Sequence, residues 1–483
     1  MKYKSTRGYQ AGENFHQAVL QGLAPDGGLY VPENLPSFSF KDYLGKSYRD
    51  LAIEILTPFM GTEDLARDAV TKGYKDYFSK ENLVQIHETK DAYYLELYHG
   101  RTAAFKDFAL ALLPQFMRQS VQGRVLILTA TSGDTGKAAM EGFKNVEGVD
   151  IIVFYPHQGV SEIQYLQMAT QEGDNTHPVG IKGNFDDAQR GVKTLFMDQD
   201  LKEDLKNREV HLSSANSINI GRLLPQVIYY VYAYLSLVDQ GKLSYGDPLD
   251  LVVPTGNFGD ILAGYLAKKM GLPLGNFICA SNQNAVLRDF FQTGTYDTHR
   301  PFYKTSSPSM DILISSNVER FLYYLTEDTE RVKNLQEDLA NKGEFVIGED
   351  IKDKLKDWYG YAGSEEEAFA SIRKVLEEDH YLLDPHTAVA KVCLDKYYKD
   401  HGKKSKALVL STASPYKFPS SVLKALGEEG TFSDQAAIEK LEDLSKTPCP
   451  QVLKSLWDKD LKERPPIQVE DMKAFVEKIG EDL

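Results

Sequence analysis

Cysteine is scarce in this sequence of 483 residues, and basic residues are fewer than acidic ones. Three cysteines, Cys279, Cys393 and Cys449, lie far apart, which excludes a disulfide framework and matches no zinc-ligand spacing. We therefore expect buried thiols in a reducing compartment, and no metal site. Lys and Arg total 55 against 70 Asp and Glu, so the net charge is −15. A net anion is repelled by nucleic acid and by acidic membrane surfaces, so we expect neither as a partner.

Long hydrophobic runs and targeting segments are missing as well. The longest charge-free apolar stretch, between Arg222 and Asp239, has sixteen residues including Pro225 and is short for a membrane span. The N-terminal residues contain no apolar run typical of a signal peptide, so we expect a cytoplasmic protein. The sequence has no HExxH, no GxSxG and no GxGxxG after a strand. Zinc-protease, serine-hydrolase and dinucleotide-binding functions are therefore unsupported.

The sequence does contain a repeated strand–loop–helix pattern. Short apolar runs, each followed by a polar loop and a helical segment, occur at 93–98, 124–129, 150–154, 250–253 and 407–410. Five such units predict an α/β fold with doubly wound, mostly parallel sheets. Because polar residues collect in the loops after the strands, where open α/β sheets bind ligands, we expect the functional site there.

The length of the chain suits about three domains. Its 42% hydrophobic and 11% aromatic residues are enough for a packed core. Residues 1–90 are predicted to form a small α-rich N-terminal domain. Residues 91–425 are predicted to form an α/β core of two lobes, with a helical insertion near 321–380. Residues 426–483 are predicted to form a helical C-terminal extension.

Two glycine-containing loops open helices in this pattern, PTGNFGD (254–260) and TSGDTG (131–136). Backbone N–H groups at a helix N-terminus attract anions. The first loop predicts a phosphate cradle, with an ordinary strand-to-helix turn as the alternative. The second could hold a carboxylate with hydroxyl groups from Thr131, Ser132 and Thr135. It is not a nucleotide-binding P-loop, because Thr131 and Ala138 replace the glycine and the Ser/Thr of that motif.

Lys106 is the candidate nucleophile, because it lies at a loop-to-helix junction among small and apolar neighbours. Such surroundings disfavour the ammonium form, lower the pKa and suit Schiff-base formation, whereas an ordinary solvated lysine is the alternative. The segment 213–222 precedes a long apolar helix and could bind a second phosphate, with a capping role as the alternative. Its polar residues are Asn216, Ser217, Asn219 and Arg222. His386 begins another helix and is expected to be structural.

These motifs together resemble the threonine synthase family in its longer bacterial and fungal form, over residues 3 to about 425. GRTAAFKDFA (100–109) is typical of pyridoxal-phosphate enzymes of the tryptophan-synthase-β type. DGGLYVP (26–32) separates the family from threonine dehydratase and cysteine synthase. The other matching segments, in the family's order, are STRG (5–8), TATSGDTGKAA (129–139), NSINIGR (216–222), PTGNFGDILAG (254–264), PSMDILISSNVERF (308–321), DPHTAVA (384–390) and STASPYKF (411–418).

The resemblance implies pyridoxal 5′-phosphate as the cofactor, clasped between the two α/β lobes. Lys106 would bind it covalently, Thr412 would face the pyridine nitrogen and Asp134 would lie near the 3′-hydroxyl. The family's usual His-Pro-Ala is replaced here by the segment 414–416, Ser-Pro-Tyr, although Thr412 is retained. The cup for the cofactor phosphate would consist of Gly256, Asn257, Phe258, Gly259 and Asp260.

The resemblance also implies a substrate and a reaction. O-Phospho-L-homoserine and water would be converted into L-threonine and phosphate. The substrate carboxylate would bind at Thr131, Ser132 and Thr135, and its phosphate at Asn216, Ser217, Asn219 and Arg222. The alternatives are a related serine or threonine dehydratase and an inactive paralogue that binds phosphorylated amino acids. We expect a monomer or a homodimer.

Overall fold

A computed structural model describes residues 1–10, 12–78, 83–121, 123–131, 133–157, 161–403, 405–462 and 464–483, apart from the side chain of Asp482. The N-terminal region combines an antiparallel strand pair with three helices. Asn14, Ser47 and Thr62 accept hydrogen bonds from backbone N–H groups and so begin these helices. The elements are β1 Tyr3–Ser5, α1 Phe15–Gln21, β2 Tyr30–Pro32, α2 Tyr48–Met60 and α3 Glu63–Gly73.

The remaining strands build two larger sheets and one short strand pair. They are β3 Gln85–Glu88, β4 Ala92–Glu96, β5 Arg124–Ala130, β6 Val149–Pro156, β7 Thr176–Ile181, β8 Val210–Ser213, β9 Leu249–Pro254, β10 Leu274–Ser281, β11 Thr295–Asp297, β12 Glu344–Val346, β13 Trp358–Ala362 and β14 Ala407–Ser411. Four of them, in the order β7-β6-β5-β8, form a wholly parallel sheet. Six others, in the order β13-β10-β9-β14-β4-β3, form a sheet that is parallel except for β3.

Helices connect and cover these strands. They are α4 Lys106–Leu110, α5 Leu113–Arg118, α6 Asp134–Phe143, α7 Glu162–Ala169, α8 Phe185–Met197, α9 Gln199–Asn207, α10 Ile220–Asp239, α11 Gly259–Lys269, α12 Val286–Thr293, α13 Val318–Thr326, α14 Thr329–Lys342, α15 Glu349–Lys352, α16 Glu365–Asp379, α17 Pro385–His401, α18 Pro419–Ala425, α19 Asp434–Ser445, α20 Gln451–Lys454 and α21 Met472–Asp482. Within the described ranges, no helix combines the length and apolar character that a membrane span requires.

Both large sheets bury apolar residues on both faces. In β14, Leu408 and Leu410 join the main core, whereas Val409 joins a second core beneath α16 and α17. In β5, Ile127 joins the main core and Leu128 joins a third core lined by α8, α9 and α21. Because successive side chains of a strand point to opposite faces, this division requires helices on both sides of each sheet. The predicted doubly wound α/β architecture is confirmed.

The structure adds strands that the sequence pattern did not reveal. All five predicted strands are present, as β4, β5, β6, β9 and β14, but β7, β8 and β10 were not predicted. Polar residues, proline and glycine interrupt the apolar runs of these strands, as in Thr176–Ile181. The segment near 321–380, predicted as a helical insertion, also contains β12 and β13. Because β13 pairs with β10, this segment also supplies an edge strand of the six-stranded sheet, and the division of the chain into domains stays a prediction.

Gly142 of α6 packs directly against the end of α4. A Cβ atom on Gly142 would overlap the backbone carbonyl oxygen of Leu110, at the end of α4. Replacing glycine by alanine inside a helix ordinarily stabilises it by about 1 kcal/mol. We expect Gly142→Ala instead to destabilise the protein by about 1–3 kcal/mol, measured by denaturant unfolding, because α6 must move away from α4.

Gly480→Ala is the matched control, since Gly480 also lies in a helix. Its added Cβ would meet only the end of the flexible Leu205 side chain, at 2.7 Å. A stabilised Gly142→Ala protein would contradict the close packing of α4 and α6.

Candidate active site

The loops singled out in the sequence converge on the edges of the two large sheets. In the six-stranded sheet, β4, β14 and β9 are neighbours, so the loops after them lie side by side at one edge. In the four-stranded sheet, β5 and β8 are neighbours, and Thr129 donates a hydrogen bond to Asn216 at 3.2 Å. The two edges meet, because Lys106 Nζ lies 3.8 Å from a carboxylate oxygen of Asp134. One site therefore forms between the carboxyl ends of two parallel sheets.

Lys106 is the first residue of α4 and its side chain is largely buried. Its ammonium group lies 4.9 Å from the ring centre of Phe105 and 3.4 Å from the hydroxyl of Ser309. Burial lowers the pKa of Lys106 to about 8, and the positive charges of Lys417 and Arg222 act in the same direction, against Asp134. A substantial fraction of the amine is therefore neutral near physiological pH, as a nucleophile or base requires.

Asp134 supplies the negative charge that faces Lys106. Its other carboxylate oxygen lies 2.8 Å from Nζ of Lys417, which also donates to the carbonyl oxygen of Thr102. Burial alone would raise the pKa of Asp134, but the charges of Lys417 and Lys106 outweigh it and hold the pKa near 2. Lys417 was not assigned from the sequence, although it lies in the STASPYKF segment five residues beyond Thr412.

Ser309 is a second residue that the sequence did not reveal. Its backbone N–H donates to Nε2 of His386 at 3.2 Å, and Nδ1 of that ring lies 2.7 Å from Asp384. Because Nε2 accepts, Nδ1 is assigned as the protonated nitrogen that donates to Asp384. A Cβ on Gly256 would overlap the carbonyl oxygen of Ser309. The absence of a side chain at Gly256 thus lets the Ser309 segment approach the cup loop.

The predicted phosphate cup, 256–260, forms the turn into α11. Phe258 has φ +64°, and its buried ring packs among Phe291, Phe321 and Trp358. This anchoring holds a non-glycine residue in the left-handed conformation immediately before the helix. A Cβ on Gly259 would have ordinary room, with its nearest neighbour at 3.4 Å. The N-terminus of α11 therefore presents backbone N–H groups in the geometry that binds phosphate.

Asp260 belongs to this turn, but its carboxylate points into the core. One oxygen accepts hydrogen bonds from the hydroxyls of Tyr229 and Tyr230, at 2.5 and 2.7 Å, and the other has no partner in the part of the chain that the structure describes. Burial raises the pKa of Asp260 to about 6. Any contribution of Asp260 to the cup therefore comes from its backbone N–H.

In the TSGDTG loop, the hydroxyl of Thr131 forms hydrogen bonds within the loop itself. Thr131 Oγ1 accepts from the N–H groups of Gly133 and Gly136, both at 3.0 Å. Thr135 is half-buried at the start of α6, whereas Ser132 lies outside the described residues. Thr412 follows β14 and is buried, and its carbonyl oxygen accepts from the N–H of Phe105 at 2.8 Å. That bond fixes the loop carrying Lys106 against the end of β14.

In the cluster at 213–222, some polar side chains hydrogen-bond to the protein itself and others remain accessible to a ligand. Asn219 caps α10: its oxygen accepts from Gly221, and its amide donates to the carbonyls of Val19 and Ser214. Asn216 is exposed, and Ser217 is half-buried with its hydroxyl 3.3 Å from that of Ser316. Asn219 therefore has no spare amide donor, whereas Asn216 and Ser217 are at least partly accessible.

Arg222 is the buried cation of this cluster, with only 5% of its surface exposed. One Nη donates to the carbonyl of Ala215 at 3.0 Å, whereas Nε has no hydrogen-bond partner among the residues that the structure describes. Burial lowers the pKa of Arg222 to about 10, and no described carboxylate forms an ion pair with it. A buried guanidinium with an unused donor and no acidic partner is a site for an anion.

Comparison with known proteins agrees with this geometry. Family models described as threonine synthase N terminus, pyridoxal-phosphate dependent enzyme, and threonine synthase C-terminal match residues 2–76, 79–413 and 387–463. Threonine synthase from Pseudomonas aeruginosa is 38% identical over 443 residues, covering 88% of this chain and 90% of that protein. The chain belongs to the threonine synthase family. The family and fold predicted from the sequence are thus confirmed.

Other threonine synthase relatives and solved structures support the assignment. Human threonine synthase-like 1 is 40% identical over 432 residues; the match covers 85% of this chain but 58% of the human protein's length. The solved structure of PLP-bound threonine synthase from Brucella melitensis is 36% identical, covers 100% and 99% of the two chains, and has a TM-score of 0.88. Yeast threonine synthase gives 32% identity, coverage of 100% and 98%, and a TM-score of 0.87.

The lowered pKa of Lys106 leads to a stability prediction for the cofactor-free protein. Its pKa falls from the usual 10.5 to about 8 on folding, so the folded state binds fewer protons than the unfolded state between these values. The free energy of unfolding therefore decreases as pH falls from 10.5 to 8, because the unfolded state takes up the proton first. We expect the parent to gain up to about 3 kcal/mol over Lys106→Met as pH rises through that window, measured by chemical denaturation.

Lys333→Met, at an exposed position on α14, is the control. A stability difference between the parent and Lys106→Met that does not change with pH would contradict the buried, neutral amine.

Proposed function

We propose that this protein catalyses the pyridoxal-phosphate-dependent conversion of O-phospho-L-homoserine and water into L-threonine and phosphate. The observation that carries the proposal is Arg222, a buried guanidinium that pairs with no acidic side chain in the described part of the chain and lies close enough to Lys106 to help lower its pKa. An anion site beside an amine of lowered pKa suits a phosphorylated amino acid as substrate. The cup before α11 is then free to hold the phosphate of the cofactor.

The residues present fit pyridoxal phosphate. Lys106 supplies an amine of lowered pKa for covalent attachment, and the N-terminus of α11 supplies N–H donors for the cofactor phosphate. Thr412 offers a neutral hydroxyl for the pyridine nitrogen, and Asp134 lies beside Lys106 for the 3′-hydroxyl. The predicted cup comprises Gly256, Asn257, Phe258, Gly259 and Asp260. When bound, the cofactor withdraws electrons from the substrate carbon atoms.

The protein's own groups would bind the substrate and move its protons. The N-terminus of α6, with Thr131, Ser132 and Thr135, would orient the substrate carboxylate. Lys106 Nζ would remove and return a proton at the α-carbon, since its pKa of about 8 suits a general base. Arg222 would hold the substrate phosphate and stabilise its charge as it leaves the γ-carbon. Asn216, Ser217 and Asn219 would complete that end of the site, Asn219 through its cap on α10.

Location and assembly are parts of the same proposal. A cytoplasmic location is supported by three free cysteines, all buried, which suit a reducing compartment. A monomer or a homodimer stays our prediction for the assembly.

The decisive experiment is product analysis with the cofactor-loaded protein. We expect O-phospho-L-homoserine to yield threonine and inorganic phosphate in equal amounts, and Lys106→Met to yield neither. A 2-oxo acid and ammonia from serine or threonine, without phosphate release, would identify a dehydratase instead. Binding without any product would identify an inactive phospho-amino-acid-binding protein.

Arg222→Met tests the assignment of the substrate phosphate. Loss of a charge-assisted contact worth about 1.5–3 kcal/mol should raise KM for O-phospho-L-homoserine about 10- to 100-fold. Cofactor content should stay normal, and the melting temperature should not fall, because the variant no longer buries an unpaired charge. The measurements are steady-state kinetics, cofactor absorbance and a melting curve.

Arg118→Met is the matched control, since Arg118 pairs with Asp68 away from the site. Unchanged kinetics in Arg222→Met, or kinetics lost only together with cofactor or fold, would place the substrate phosphate elsewhere.

A further inference from the structure

Asn317 lies between the two anion-binding loops and is fully buried. Its backbone N–H and its side-chain amide both donate to the carbonyl oxygen of Asn257, each at 3.1 Å. The same amide donates to the carbonyl oxygen of Ser217 at 3.2 Å. Asn257 belongs to the cup before α11, and Ser217 belongs to the cluster with Arg222. One side chain thus holds a backbone carbonyl from each site.

Arg320, one turn further along, fixes the orientation of that amide. One Nη donates to the side-chain oxygen of Asn317 at 2.7 Å, so the amide nitrogen must face the two loops. The other Nη donates to the carbonyl of Ile218 at 2.5 Å, and Nε donates to the carbonyl of Tyr30 at 3.0 Å. Arg320 is itself fully buried. It therefore ties Asn317, the cluster at 213–222 and strand β2 together.

The N-terminal segment forms hydrogen bonds to Glu319, which lies in the first turn of α13 beside Asn317 and Arg320. The hydroxyl of Thr6 donates to one carboxylate oxygen at 2.5 Å, and Arg7 donates to both oxygens, at 3.0 and 2.8 Å. Glu319 is buried in this arrangement. The two N-terminal motifs, STRG (5–8) and DGGLYVP (26–32), therefore hold adjacent residues of α13, although neither supplies a group to the site itself.

Because a peptide unit is planar and trans, its carbonyl and the following N–H point in opposite directions. Holding the carbonyl of Asn257 therefore fixes the direction of the N–H of Phe258, in the cofactor cup. Holding the carbonyl of Ser217 likewise fixes the N–H of Ile218, beside the substrate cluster. Donors that are oriented in advance bind an anion without a reorganisation cost.

We propose that Asn317 is a positioning residue shared by both anion sites, and that the N-terminal segment holds it in place through Glu319 and Arg320. This inference rests on the proposed function for the identity of the two anions. A purely structural amide would contribute to stability alone. A shared positioning residue must affect the two loops, and the two affinities, together.

The test compares Asn317→Ala with the parent, using the full-length protein. Hydrogen–deuterium exchange of the cofactor-free protein should become faster in both 255–260 and 213–219. The Kd for pyridoxal phosphate and the KM for O-phospho-L-homoserine should each rise about three- to tenfold, as expected for lost hydrogen bonds. By contrast, Arg222→Met should affect only the substrate.

Asn175→Ala is the matched control. Its amide also donates to backbone carbonyls, those of Phe143, Val146 and Val149, but it lies just before β7, at the opposite edge of the sheet from the site. We expect this control to lower the melting temperature while leaving exchange in both loops, the Kd and the KM unchanged.

Loosening of both loops together with the loss of both affinities supports the proposal. An effect on one loop or one affinity alone, or a response equal to that of Asn175→Ala, overturns it. If Asn317→Ala fails to fold, Asn317→Ser, which keeps a small polar group, is judged by the same criteria. A parent that neither binds the cofactor nor releases phosphate would instead refute the proposed function, whereas the exchange result would still decide the link between the loops.

Discussion

The structure of the site depends on one buried carboxylate held between two lysines. Asp134 begins the helix that follows β5 of the four-stranded sheet, whereas Lys106 and Lys417 lie in segments that follow β4 and β14 of the six-stranded sheet. Buried charges of either sign are costly unless they are paired, so this cluster requires the two sheet edges to meet. With a pKa near 2, Asp134 remains ionised at any physiological pH. It partly offsets the burial and positive charges that lower the pKa of Lys106, which remains near 8.

A second constraint is that a chain of net charge −15 must present local positive charge to bind an anion. Arg222 and Arg320 are buried, and their hydrogen bonds go to carbonyl oxygens rather than to carboxylates. Carbonyl oxygens stabilise a guanidinium without neutralising it. The local charge can therefore attract an anion, whereas the net charge of the surface is screened over about 8 Å in physiological salt.

Much of the site was predictable, because its loops follow predictable strands. Lys106, the cup turn and the cluster with Arg222 converge as expected. The groups that orient them were not predictable: Ser309 is 203 residues from Lys106, and Asn317 is 100 from Ser217. Their hydrogen-bonding partners are set by long-range packing, which no local pattern records.

The sequence by itself determined five of the strands, the polar loops at their carboxyl ends and the family of the protein. These follow from local periodicity, glycine positions and motifs. Only the tertiary structure decided which polar atoms remain free. Thr131 hydrogen-bonds within its own loop, Asn219 caps a helix and Asp260 binds two tyrosines, whereas Nε of Arg222 finds no partner within the described ranges. The physical reason is that a buried polar group bonds whatever donor or acceptor folding brings beside it, and that neighbour comes from a distant part of the chain.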